Sequence, residues 1–172
     1  CDCIDPSLSS SSPADNATGI SVSSNIVLNF SEVVDRESGN VVIKKTSDDS
    51  TIETIAVTDS KITGTGTTQI TINAAANLDP STSYYLNVAA TAFDDVAGNS
   101  YAGITDSTTL NFTTAADTAA PTLASSSPAD NATQVSVNAN IVLTFNEVVD
   151  RESGNIVIYN SSGSAIETIA VT

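Results

Sequence analysis

Histidine, methionine and tryptophan are absent from this 172-residue chain, and cysteine occurs only twice. Without histidine, a Ser-His-Asp or Cys-His nucleophilic arrangement cannot be built. Zinc sites of the usual Cys/His kind are excluded from the body of the chain as well. Cys1 and Cys3 stand at the extreme start, so they cannot staple an interior core. A bridge between them would be strained, and Cys1 is a candidate lipid-attachment point. Basic residues number five against 20 acidic ones, for a net charge of −15. That balance repels nucleic acid and anionic membrane surfaces. No stretch is long and apolar enough to span a bilayer. No signal-peptide pattern is visible, which fits a mature or excised segment.

What the chain does have is an internal repeat. Ser11–Thr18 returns as Ser126–Thr133, Glu32–Asn40 as Glu147–Asn155, and Ile52–Thr58 as Ile166–Thr172. The period of about 115 residues is a whole domain rather than a solenoid unit. The organisation expected is a lead segment 1–10, a module over 11–114, a connector 115–125 and the first part of a second module over 126–172. The second copy stops where the first reaches Thr58. Half a module would expose its inner face and strand edges, so the natural protein is expected to continue, or a neighbouring chain to complete the fold.

Alternation dominates the pattern within a copy. Ile26, Leu28 and Phe30 share one face of a half-buried strand, as do Ile141, Leu143 and Phe145 in the second copy. Further strands are read over Val41–Thr46, Ile52–Val57, Thr68–Asn73, Ser83–Ala90 and Thr108–Thr114, with a short edge segment around Ile20–Val22. Ala74–Leu78 is read as one helical turn. Turn residues separate these runs, as in Pro13-Ala14-Asp15-Asn16 and Ala97-Gly98-Asn99. About seven short strands per copy with regular turns predict an all-β, immunoglobulin-like two-sheet sandwich, repeated in tandem with the second module incomplete.

Three motifs carry a family resemblance. They are Ser-Pro-Ala-Asp-Asn-Ala-Thr followed by Asn-Ile-Val-Leu-Asn-Phe-Ser-Glu, then Phe-Asp-Asp-Val-Ala-Gly-Asn, then Leu-Asn-Phe-Thr-Thr with Asp-Thr-Ala-Ala-Pro-Thr-Leu after it. In this order the chain resembles the bacterial Ig-like domains of the S-layer and large-adhesin type, the SbsA-like or Big_5 group. The resemblance implies tandem sandwiches, secretion, a structural or adhesive role and no catalytic residues. It also implies that calcium at module junctions is worth weighing.

The acidic loops are the candidate sites. In an Ig-type sandwich the loops Glu32–Gly39 and Asp94–Asn99 are expected at one end, beside Pro13–Asn16. That would gather Asp15, Glu32, Asp35, Glu37, Asp94 and Asp95 at one pole. In the second copy, Asp130, Glu147, Asp150 and Glu152 would gather near Asp117. Oxygen ligands from several loops suit Ca²⁺, so calcium is the expected cofactor. Asp94-Asp95-x-x-Gly98-Asn99 also reads as an Asx-stabilised turn. Arg36 and Arg151 are expected to pair with neighbouring acids such as Asp35 or Glu37.

The function expected is a non-enzymatic structural or adhesive module of a secreted or cell-surface tandem-repeat protein. Its partners would be neighbouring copies of the module, other surface proteins or glycans. Two other readings share the fold. One is a surface or fibre module of a virion. The other is an accessory carbohydrate-binding module, which needs a solvent-facing aromatic platform, with Tyr85, Tyr101 and Tyr159 as the residues to check.

Overall fold

The computed structural model describes residues 3–172. Cys1, a candidate for a strained bridge to Cys3 and for lipid attachment, lies outside the described residues. The chain divides into two compact units, Cys1–Asp117 and Thr118–Thr172, each treated by itself.

The described residues of unit 1 form a two-sheet sandwich of ten strand segments. They are β1 (Leu8–Ser12), β2 (Ala17–Ile20), β3 (Ile26–Arg36), β4 (Asn40–Lys45), β5 (Thr51–Ala56), β6 (Ile62–Thr63), β7 (Thr67–Ile72), β8 (Ser83–Val88), β9 (Phe93–Asp95) and β10 (Asn111–Thr114). One sheet runs β1-β3-β7-β6, with β9 added beside β3; the other runs β2-β10-β8-β4-β5. The expected count of about seven rises for identifiable reasons. The first strand changes sheets at Pro13 and becomes β1 and β2, and the short β6 and β9 were not visible as periodic runs. The expected helical turn at Ala74–Leu78 does not form. The backbone N–H groups there are taken by other partners: Ala75 donates to Glu53 Oε2 at 2.8 Å and Leu78 to the Val22 carbonyl at 2.9 Å.

The core follows the alternation read from sequence. Ile26, Leu28 and Phe30 of β3 face Ile70 and Ile72 of β7, with Leu28 opposite Ile70. From the other sheet, Val41, Ile43, Ile55, Leu86, Val88 and Phe112 close the interior. Burying an aliphatic side chain of this size contributes about 1.5–3 kcal/mol. Phe30 anchors one end of the core, packing on Phe93 at 5.5 Å and edge-on to Tyr101 at 5.1 Å between ring centroids.

Unit 2 carries β11 (Leu123–Ser127), β12 (Val142–Phe145), β13 (Asn155–Tyr159) and β14 (Ala165–Ala170). They form two separate two-stranded sheets, β11-β12 and β13-β14. The β11-β12 register, Leu123 opposite Phe145 and Ser127 opposite Val142, repeats that of β1-β3, Leu8 opposite Phe30 and Ser12 opposite Val27.

Candidate functional site

The expected acidic pole assembles only in part. Antiparallel pairing of β3 with β9 sets Asp35 opposite Asp94 and Val34 opposite Asp95. Two carboxylates directly opposite each other on one face are unfavourable unless something intervenes. Asp35 Oδ1 accepts from Thr65 Oγ1 at 3.2 Å. Asp94 Oδ1 is buried and has no hydrogen-bond partner. Glu32 is close by, lining a hollow of about 400 Å³ with Val33, Asp95, Val96 and Ala97. Glu37 follows in the exposed turn after β3, its N–H bonded to the Ala92 carbonyl at 3.0 Å.

Asp95 is turned to a different use. It is buried, and its carboxylate accepts from the Ala97 N–H at 2.8 Å, the Asn99 N–H at 2.8 Å and Asn99 Nδ2 at 2.7 Å. Burial opposes its ionisation. The bonds from Asn99, Ala97 and Gly98 outweigh that and hold its carboxyl below the ordinary 3.8. The loop is therefore an Asx-stabilised turn, with Gly98 at φ +89°.

Asp15 does not join this group, contrary to the expected pole. Ser12 pairs with Val27, whereas Asp94 pairs with Asp35, eight residues further along β3. At strand rise that is roughly 25 Å. After Pro13 the chain crosses to the other sheet, where Asp15 Oδ1 accepts from the Asn111 N–H at 3.0 Å and Asn111 Nδ2 at 2.9 Å. Asp15 thus pins the crossover to β10. Asp117, expected with the acids of the second copy, is the last residue of unit 1. It borders a hollow of about 560 Å³ lined by Gly19, Val22, Leu78, Pro80 and Ala115, where β2 and β10 end.

Within unit 2 the same separation holds. Asp130 follows the Ser127 end of the β11-β12 ladder, and Glu147 follows the Phe145 end. Asp130 accepts from Asn131 Nδ2 at 2.9 Å, Glu147 Oε1 is buried without a hydrogen-bond partner, and Asp150 is exposed. Among the described residues, no group of three His, Cys, Asp or Glu side chains is placed to hold a metal ion.

Arg36 does something the sequence reading missed. It was expected to pair with Asp35 or Glu37, but consecutive residues on a strand point to opposite faces. Arg36 shares the inner face with Val34, and its Nη1 donates to the carbonyls of Val57 at 3.3 Å, Asp59 at 3.0 Å and Ile62. Val57 follows β5 of one sheet and Ile62 opens β6 of the other, so one guanidinium ties the two sheets at this end. Two further polar ties were also hidden. Thr114, buried at the end of β10, donates to the Asp79 carbonyl at 2.6 Å and accepts from the Thr82 N–H at 3.0 Å. Asp106 accepts four bonds of 2.7–2.8 Å from the N–H and hydroxyl groups of Thr108 and Thr109. Those bonds hold its carboxyl far below the ordinary 3.8. The run Asp106-Ser107-Thr108-Thr109 is a readable Asx-turn signal.

The aromatic platform is not assembled either. Tyr85 and Tyr101 are 5% and 6% exposed, leaving Tyr159 at 62% as the one open tyrosine. Tyr85 lies under Lys44, with Nζ 5.8 Å from the ring centroid, and donates its hydroxyl proton to Asp49 at 3.0 Å.

Two packed sheets with a strand crossing between them, a Phe/Tyr-anchored aliphatic core and carboxylates spent on turns define an immunoglobulin-like β-sandwich module. The chain belongs to the bacterial Ig-like domain family Big_5, whose family model matches residues 2–114 and again 117–172. No curated protein matches it. Domains of this family are generally non-catalytic structural modules and occur in bacterial surface proteins. Among the described residues, no helix is long and apolar enough to cross a membrane.

Proposed function

We propose that the chain is a non-enzymatic structural and adhesive module of a secreted or cell-surface tandem-repeat protein. The observation that carries this reading is the repetition of one family match along a single chain. Modules in series project a surface outward or build a lattice, and weak contacts repeated along an array gain avidity. The internal use of the acids supports the reading: Asp15, Asp95 and Asp106 are committed to turns and crossovers rather than paired in a cleft. Immunolabelling of intact producing cells tests it. Signal on unbroken cells is the expected result, and signal only after lysis would reject it. Labelling confined to purified virus particles would favour the virion reading instead.

We further propose a weak calcium site at the Asp35–Asp94 pair. Its support is the facing carboxylates and the buried, unpartnered Asp94 Oδ1. Calcium takes six to eight oxygens, so two carboxylates plus carbonyl and water oxygens make a low-affinity site. Calorimetric titration of EDTA-stripped protein checks this. Heat at millimolar Ca²⁺ that disappears in Asp94→Asn is expected; no heat would end it.

A further inference from the structure

Asn16, Asn29, Asn111, Asn131 and Asn160 each stand in an Asn-x-Ser/Thr sequence. That pattern is the acceptor motif for N-linked sugars. Transfer needs an accessible carboxamide whose Nδ2 is free to react. Four of these asparagines have committed that nitrogen. Asn16 Nδ2 donates to Asp15 at 2.6 Å, Asn111 Nδ2 to Asp15 at 2.9 Å, Asn131 Nδ2 to Asp130 at 2.9 Å and Asn29 Nδ2 to Ser10 Oγ at 3.1 Å. Asn29 and Asn111 are also held within paired strands, β3 and β10.

Asn160 is arranged the other way round. It opens the exposed turn between β13 and β14. Its Oδ1 accepts from Ser162 Oγ at 2.7 Å, the Ser164 N–H at 2.9 Å and the Ser162 N–H at 3.0 Å. Among the described residues, no hydrogen bond occupies its Nδ2. All three bonds stay within the turn, so the arrangement is local. Unit 1 builds a similar turn around an acid: Asp48 Oδ1 accepts from Ser50 Oγ at 2.7 Å and the Ser50 N–H at 3.0 Å. Residues 46–50 are exposed there although the sandwich around them is closed.

An amide nitrogen is a poor nucleophile because its lone pair is delocalised onto the carbonyl. As Nδ2 gives up a proton, negative charge settles on Oδ1, where the three donors stabilise it. We propose that Asn160 is a glycosylation site, presented as a pre-formed turn to a glycosyltransferase that uses a sugar-diphosphate donor. Nδ2 attacks the anomeric carbon and a C–N bond forms. The bond from that carbon to the phosphate oxygen breaks, and the diphosphate leaves with the bonding pair. The displaced Nδ2 proton passes to a base on the transferase. This inference stands apart from the module reading: an unmodified protein on the cell surface would sink the one and leave the other intact.

Peptide mapping by mass spectrometry of the protein purified from its producing cells is the test. Trypsin cuts after Arg151, so Asn160 falls in a peptide starting at Glu152, with no other motif asparagine up to Thr172. A sugar increment on Asn160 is expected. Incubating unmodified chain with the soluble or the membrane fraction of those cells tells a nucleotide-linked donor from a lipid-linked one. Ser162→Ala should abolish the increment and Ser162→Thr should retain it. Asp48→Asn, which places an amide in the similar turn of unit 1, should gain an increment there. These exposed-turn changes should leave the main melting transition in place, which separates lost transfer from lost folding. An unmodified Asn160, an increment that survives Ser162→Ala, or no gain in Asp48→Asn overturns the proposal.

Discussion

Leu28 and Leu143 occupy the same place in the same repeated sequence, yet one is sealed and the other is 43% exposed. Both sit on a strand that pairs on one side with a serine-rich partner in the same register. What differs is the second neighbour. β7 covers Leu28 through Ile70 and Ile72, and β12 has no such strand beside it. Alternation therefore assigns a face, but burial is conferred by residues distant in sequence. Local strand pairing is present in both units, and among the described residues the closed core is formed within unit 1.

That contrast can be broken most sharply by twin substitutions. Leu28→Ala should lower the stability of the main cooperative transition by about 2–5 kcal/mol, since it opens a cavity among fully buried neighbours. Leu143→Ala should move it by less than about 0.5 kcal/mol, as for a surface change. Urea denaturation of both variants reads the difference, and equal losses would mean that unit 2 is as closed as unit 1.

Arg36→Ala comes next, at about 1.5–3 kcal/mol, because it removes charge-assisted bonds to three carbonyls at the mouth of the sandwich. Arg151→Ala, its twin in the acidic loop of unit 2, should leave the transition within about 0.5 kcal/mol.

Gly39 and Gly154 form a third pair. Both have positive φ, +108° and +130°. A Cβ on Gly39 would lie 2.8 Å from Ala89 Cβ, while one on Gly154 would meet nothing within 4 Å. Gly39→Ala should cost about 1–3 kcal/mol and shift the main melting temperature; Gly154→Ala carries the backbone strain without the clash and should shift it less.

The smallest effect is acid sensitivity, and it too belongs to unit 1. Asp95 and Asp106 have folded carboxyl pKa values below their ordinary 3.8. A depressed folded value stabilises the fold above the unfolded pKa, and that contribution is lost as pH falls towards the folded pKa. The melting temperature should be flat from about pH 7 to pH 5 and fall below about pH 4. Asp106→Asn should flatten part of that fall. An unchanged acid limb in Asp106→Asn would mean that the Thr108 and Thr109 bonds do not persist in solution.

Much of the sandwich was legible because its strands are half-buried and speak in period two. Ile26, Leu28, Phe30, Ile70, Ile72, Leu110 and Phe112 all face inward as their spacing requires. Tyr85 was not legible. Its alternation points away from Tyr84 and Leu86, but Lys44 and Asp49 cover it from the same sheet and the adjoining hairpin. The acidic pole was half legible. Asp35 and Asp94 meet because two adjacent strand ends bring them together. Asp15 is elsewhere because the sheet change at Pro13 is a tertiary event that no local pattern announces. Arg36 is not legible from its neighbouring acids, because its side chain takes the face of Val34 rather than that of Asp35.

The crossover at Pro13 has a mechanical consequence. β2 runs parallel to β10, with Ala17 opposite Phe112 and Ile20 opposite Thr114. Tension applied through the two ends of the module enters at β1, which is paired with β3, and once β1 yields it pulls the start of β2 and the end of β10 in opposite directions along a shared axis. Their backbone bonds, including Asn16 N–H to the Asn111 carbonyl at 2.8 Å and Ala115 N–H to the Ile20 carbonyl at 2.7 Å, are then loaded together in shear rather than peeled one at a time. The Asp15–Asn111 contacts bear on the same seam. A strand that changes sheets thus serves as a clamp against stretching, at the place where pulled modules in series would transmit load.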